Sequence, residues 1–198
     1  MKSIVVFCAS APGRLPVYQE AAEAVGKFLV EQGIRLVYGG GKVGLMGVVA
    51  DAVLAAGGEA VGVIPQFLVD KEVAHEGLTE LIITESMHER KLRMSELADG
   101  IIALPGGFGT LEELVEMLTW SQLDLHRKPV GILNVNGYYD HLQQLFAHML
   151  QEELLHPRSH QRAIFSENIE ALYRKMCTFE QKNEEQWLEK RPVKQEKA

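Results

Sequence analysis

Two short runs carry the side chains best suited to chemistry. Pro105-Gly106-Gly107-Phe108-Gly109-Thr110-Leu111-Glu112-Glu113 ends in a carboxylate pair, and Met87-His88-Glu89-Arg90-Lys91 places a guanidinium beside an ammonium. The first run follows a strand-like apolar segment, residues 100–104, and leads into a helix-like segment, residues 114–120. Glycines let a ligand approach the backbone, and the first free amides of a helix, with its dipole, attract negative charge. A phosphate is the natural guest of such a turn. Thr110 and Glu113 also fit a capping box, in which the two side chains satisfy helix N-terminal donors, and both uses of the run stay open. In and just after the second run Arg90, Lys91, Arg93 and His88 suit a phosphate or a base, whereas Glu89 and Arg93, four apart, suit a solvated ion pair, the better reading of the stretch taken alone.

A second glycine-rich turn, Gly39-Gly40-Gly41-Lys42-Val43-Gly44, satisfies the spacing of a dinucleotide fingerprint. It lies after the second strand-like segment, however, and the next one, residues 60–64, does not end in the acidic residue that would hold a ribose. Nor is it a Walker A loop, because Val43 follows Lys42. What remains is a turn in which Gly40 and Gly41 offer main-chain donors to a phosphate, or one in which glycines serve tight packing. Ser10, at the end of the first strand-like segment, is a further donor, though loop serines more often bond their own backbone. Residues 65–79 lack periodicity and read as a long loop over a site, with Glu72 among its charged residues. His156 and His160 have metal-like spacing, but Pro157 between them argues against a helix and no carboxylate joins them, so no metal is expected.

The elements that must position these residues follow from periodicity. Strand-like runs at 3–8, 34–38, 60–64, 81–84, 100–104 and 130–133 alternate with helical patterns at 16–32, 48–56, 85–94, 114–120, 138–152 and 166–176. That alternation predicts an α/β fold, a doubly wound and mainly parallel sheet with helices on both faces. Ligands bind such sheets beyond the C-terminal strand ends, where the loops carrying Ser10, Gly40, Arg90 and Gly107 would gather. With 198 residues, 46% apolar, the chain is long enough for one substantial core; residues 1–179 read as a single domain and 180–198 as a charged, disordered tail. The formal charge of −7 argues against a nucleic-acid surface, and no apolar run reaches membrane-spanning length. Two cysteines, Cys8 and Cys177, give no disulfide framework, and with no signal peptide evident the reading is cytoplasmic.

From Val5 to about Tyr139 the chain resembles the "lonely guy" family of cytokinin-activating phosphoribohydrolases, long labelled lysine decarboxylases. The resemblance rests on YGGGKVGLMG, MHERK, PGGFGTLEE and KPVGILNVNGYY in that order and spacing. It implies a Rossmann-like fold, a homodimer, no organic cofactor, and a nucleoside 5′-monophosphate substrate. The implied reaction is hydrolysis of N6-modified adenosine 5′-monophosphates, with AMP an allied candidate, to free base and ribose 5-phosphate. Carried over by position, the implied substrate contacts are Glu72, Arg90, Lys91, Gly107, Phe108, Gly109, Thr110, Leu111, Glu112, Glu113 and Thr119. Arg90 and Glu113 are implied as catalytic; Met87 and Gly106, inside the same motifs, join Ser10, Gly40 and Gly41 as candidate contacts. Many relatives read Gly-Ser-Ser where this chain has Ala9-Ser10-Ala11, which removes one hydroxyl and one glycine from the first loop.

Overall fold

The computed structural model describes residues 1–71 and 73–180. Its elements, in chain order, are β1 (Ser3–Phe7), α1 (Pro16–Glu31), β2 (Arg35–Tyr38), α2 (Gly44–Ala55), β3 (Ala60–Pro65), α3 (Gln66–Val69), β4 (Glu80–Thr84), α4 (Met87–Leu97), β5 (Gly100–Ala103), α5 (Phe108–Gln122), β6 (Val130–Leu133), α6 (Asp140–Gln151), α7 (Pro157–His160), β7 (Ala163–Ser166) and α8 (Ile169–Cys177). The seven strands form one sheet in the order β4-β3-β2-β1-β5-β6-β7, and every pairing is parallel. The sheet is therefore doubly wound, as expected, and wholly rather than mainly parallel.

Side chains alternate along β1, so Ile4 and Val6 enter one core and Val5 and Phe7 the other. The first core packs against α1, α2 and α8 through Val25, Leu29, Val49, Val53 and Leu172. The second packs against α4, α5 and α6 through Met94, Leu114, Met117 and Phe146. Both faces are thus covered, which is why the central strands read as continuous apolar runs.

Three local expectations need correction. Residues 163–166 form the edge strand β7, hydrogen-bonded beside β6, where no strand is expected and the last helix is expected to begin at Ser166. Asn168 then caps α8 by accepting from the Ala171 amide, so that helix starts later than expected. Pro157 does not spoil a helix: it occupies the first turn of the short α7, where its missing N–H costs nothing, and His156 caps it. The segment after β6 is a 3-10 turn, Val135–Gly137, with Asn136 and Gly137 at positive φ, before α6 begins. The expected tail, residues 180–198, lies outside the described residues from 181 onward.

Candidate active site

Between β1 and β5 the chain's connections diverge: β1 leads outward to β2, β3 and β4, while β5 leads to β6 and β7. A crevice opens beyond the C-terminal ends of strands at such a point. The two loops that leave it are tied together, the Ala9 amide donating to the Pro105 carbonyl at 3.2 Å. Into this edge α4 projects Arg90 and α5 projects Glu113. Arg90 Nη1 donates to Glu113 Oε1 at 2.9 Å, and its Nε donates to the Val63 carbonyl at 3.0 Å. Only 8% and 10% of these two side chains is exposed. Burial raises the pKa of Glu113, and the neighbouring guanidinium opposes that without cancelling it.

Lys91, next in sequence, points elsewhere. Successive residues on a helix diverge by about 100°, so Arg90 and Lys91 serve different faces. Lys91 is buried against α5, where it pairs with Glu112 and, at 2.8 Å, with Glu116. Burial alone would lower its pKa, but the hydrogen bonds it donates to those carboxylates, with their charges, outweigh burial and raise it. It stays an ammonium clamp between the two helices.

The N-termini of the same two helices differ. Ser86 Oγ accepts from the Glu89 amide at 3.1 Å and so caps α4, while Glu89 Oε2 accepts from the Glu85 amide at 2.8 Å, one residue before the N-cap. Glu89 is thereby engaged, and Arg93 pairs with Glu96 rather than with Glu89. Met87 heads this helix at the surface. At α5 the N-cap is Gly107, with no side-chain cap. The capping box expected of Thr110 and Glu113 is not made, because the helix begins at Phe108 and Glu113 turns to Arg90. Gly107, Phe108 and Gly109 are exposed, Phe108 to 93%, whereas Gly106 and Thr110 are buried against each other.

The other glycine turn is filled from within. Gly40 and Gly41 are buried; the Gly40 carbonyl accepts from the His75 amide at 2.9 Å, Gly41 bridges to Ala74, and the Lys42 amide donates to Val73 at 2.8 Å. His75 fixes this crossing, its Nε2 lying 2.9 Å from Asp51 and its Nδ1 accepting from the Gly77 amide. A Cβ on Gly39 would lie 2.1 Å from Arg90 Nη2, and one on Gly44 would lie 2.3 Å from the Ser10 carbonyl carbon. This turn thus shapes the seat of Arg90 and the path of the first loop, where Ser10 is exposed.

Of the remaining candidates, Leu111 is half-buried and Glu112 exposed on α5. Thr119 is not brought to this cluster: it lies about 13 Å further along α5 than Thr110, exposed, its hydroxyl donating to the Val115 carbonyl. Glu72 lies outside the described residues. Two residues that sequence reasoning passed over stand behind the open turn. Tyr138 Oη donates to the Gly106 carbonyl at 2.6 Å, and Tyr139 Oη to the Leu104 carbonyl at 2.7 Å. The one signal for them was their place at the end of the KPVGILNVNGYY motif. Among the described residues no group of three potential ligands is placed to hold a metal, and no helix is long and apolar enough to cross a membrane.

Comparison with known proteins follows the same outline. A family model described as "Possible lysine decarboxylase" matches residues 46–176. The cytokinin riboside 5′-monophosphate phosphoribohydrolase LOG7 of Arabidopsis thaliana is 47% identical over 179 residues, covering 90% of this chain and 82% of its own length. The cytokinin riboside 5′-monophosphate phosphoribohydrolase of Rhodococcoides fascians is 49% identical over 170 residues, covering 85% and 86% respectively. Among solved structures, the Moco carrier protein of Chlamydomonas reinhardtii superposes with a TM-score of 0.65 at 19% identity, over 89% of this chain and 98% of that one, a likeness of fold alone.

Proposed function

We propose a reaction from one premise: the chain belongs to the family of cytokinin riboside 5′-monophosphate phosphoribohydrolases. It hydrolyses the N-glycosidic bond of N6-modified adenosine 5′-monophosphates, releasing the free base and ribose 5-phosphate. The observation that carries this reading is the buried Arg90–Glu113 pair one helical turn below an uncapped, glycine-lined helix start.

The 5′-phosphate sits against the Gly107–Thr110 turn, where free amides and the α5 dipole favour an anion. Glu113 lies four residues beyond Gly109, about 6 Å along the helix, a span comparable to that from the phosphorus of ribose 5-phosphate to its anomeric carbon. As the C1′–N9 bond breaks, its electron pair leaves on the purine and positive charge grows on the sugar; the Glu113 carboxylate stabilises that charge and takes a proton from the attacking water. The water oxygen bonds C1′ as its proton passes to Glu113; the departing purine takes a proton from solvent and Glu113 returns its own to solvent, so no net proton is consumed. A carboxylate whose pKa is raised by burial is a stronger base than an exposed one. Arg90 stays protonated and works by charge and hydrogen bonding, on Glu113 and on the departing base.

The decarboxylase label attached to the matching model would need a neutral lysine to form a Schiff base. Lys91, the neighbour of Arg90, is held as an ammonium by Glu112 and Glu116, which disfavours its use in that chemistry. The test is incubation of the purified protein with N6-isopentenyl-AMP and, separately, AMP, followed by chromatography. Free base and ribose 5-phosphate in equal amounts are the expected products; tight nucleotide binding with no release of base would replace the hydrolase by a binding protein.

The protein works as a homodimer, supported by apolar side chains that α5 and its exit leave in solvent: Phe108, Val115, Leu123 and Leu125. Light scattering at micromolar concentration should give twice the chain mass.

A further inference from the structure

The three carbonyls that precede the open turn are all tied back into the protein. Leu104 accepts from Tyr139 Oη at 2.7 Å, Pro105 from the Ala9 amide at 3.2 Å, and Gly106 from Tyr138 Oη at 2.6 Å. In a planar trans peptide the C=O of one residue and the N–H of the next point in opposite directions. A carbonyl tied inward therefore sends the following amide outward. For Leu104 this does nothing, since Pro105 has no N–H. For Gly106 it aims the Gly107 amide away from Tyr138, toward the exposed side of the turn, where a Cβ built on Gly107 or Gly109 meets nothing within 4 Å. Neither the Gly106 nor the Gly107 amide donates to any group among the described residues.

The hydroxyl of Tyr138 is itself held in place. Its ring stands edge-on to Tyr18, with centroids 5.8 Å apart, and to Tyr139, at 5.0 Å. The backbone beneath is fixed by Asn134, which accepts from the Tyr139 amide at 2.6 Å and donates to Asp140 at 2.7 Å. We propose that Tyr138 is a positioning residue for substrate phosphate: its hydroxyl sets the Gly106–Gly107 peptide so that the Gly107 amide faces the anion. This rests on the hydrolase reading given above, and Tyr138 acts through the peptide rather than by touching the nucleotide.

Tyr138→Phe removes the hydroxyl and keeps the ring contacts. A hydrogen bond of ordinary strength corresponds to about a tenfold change in an equilibrium constant. Because the phosphate is held alike in ground and transition states, KM for N6-isopentenyl-AMP should rise about five- to tenfold while kcat stays within about twofold. The inhibition constant of ribose 5-phosphate should rise by the same factor. Tyr139→Phe is the matched comparison: it frees a carbonyl with no amide behind it, so KM should hold while the unfolding midpoint falls, the lost hydroxyl being buried. KM is independent of the folded fraction, so partial unfolding cannot imitate the result. A wild-type KM in Tyr138→Phe, or an equal rise in both variants, overturns the assignment. Should the wild-type protein release no base, the hydrolase reading fails, and calorimetry with AMP decides the positioning role alone: about fivefold weaker binding in Tyr138→Phe upholds it, and unchanged binding removes it.

Discussion

Two glycine-rich turns leave the same edge of the sheet, and they do opposite things. In the turn after β2, the places where a side chain would go are occupied by the protein: by Arg90 at Gly39, by Met46 at Gly41 and by the Ser10–Ala11 backbone at Gly44. In the turn after β5, Gly107 and Gly109 face open space. The first turn needs glycine so that the fold can close. The second needs it for packing at Gly106, beside Thr110, but not at Gly107 or Gly109, where the approach of a ligand is left as the reason for it. A glycine motif therefore marks close approach without saying what approaches, and only the surroundings tell a scaffold from a receptor.

The two turns should answer differently to substitution. The largest effect is expected where the open turn meets the buried pair: Glu113→Gln should lower kcat by about a thousandfold, the scale of a lost acid–base or electrostatic group. Its circular dichroism should match the wild type, and retained turnover would show that the carboxylate serves packing alone. Next, Gly44→Ala in the filled turn must push a Cβ into the Ser10 backbone from a residue at φ +63°, so stability should fall by about 3 kcal/mol, read as a lower denaturant midpoint. Gly107→Ala in the open turn should cost under about 0.5 kcal/mol of stability, since its φ of −87° suits any residue, yet raise KM about tenfold. Equal stability losses in the two turns would erase the distinction.

The smallest effect is on pH dependence. Glu113 has a pKa raised by burial and must work ionised, so activity should fall with decreasing pH at a value above the ordinary carboxylate range. The sign for stability is the reverse. A carboxyl whose folded pKa exceeds its unfolded one favours the folded state when protonated, so this contribution is present at low pH and is lost as pH climbs to the raised value. An acid limit at the usual glutamate value would mean that another group governs the rate.

Much of this arrangement could be read along the chain because strand signals here are strong: β-branched runs such as Ile4-Val5-Val6 and Ile101-Ile102 bounded by turn formers. Strand β7 escaped because Ala163-Ile164-Phe165-Ser166 is short, half-buried and at the sheet edge, with no glycine before it. At the site, Arg90 and Glu113 were each visible by motif, but their meeting depends on two helices packed on one sheet face, which spacing does not encode. Lys91 was grouped with Arg90 although helical geometry sends neighbours apart, and the clamp with Glu112 and Glu116 is the result. The capping box was misplaced for a related reason: with Gly107 as N-cap, the third helical residue is Thr110, not Glu113. The tyrosines behind the turn carried no chemical signature, since their work is done on main-chain carbonyls.

The Arg90–Glu113 pair also constrains how this sequence is able to drift. Replacing either partner alone strands a charge away from water, a loss of about 3–5 kcal/mol, whereas replacing both by apolar residues of similar volume is close to neutral for folding. Single steps are therefore closed to selection on two counts, stability and turnover. A descendant that abandoned the reaction while keeping the scaffold would be recognised by the simultaneous loss of both charges, and one that retained only a single member of the pair should be rare among folded proteins.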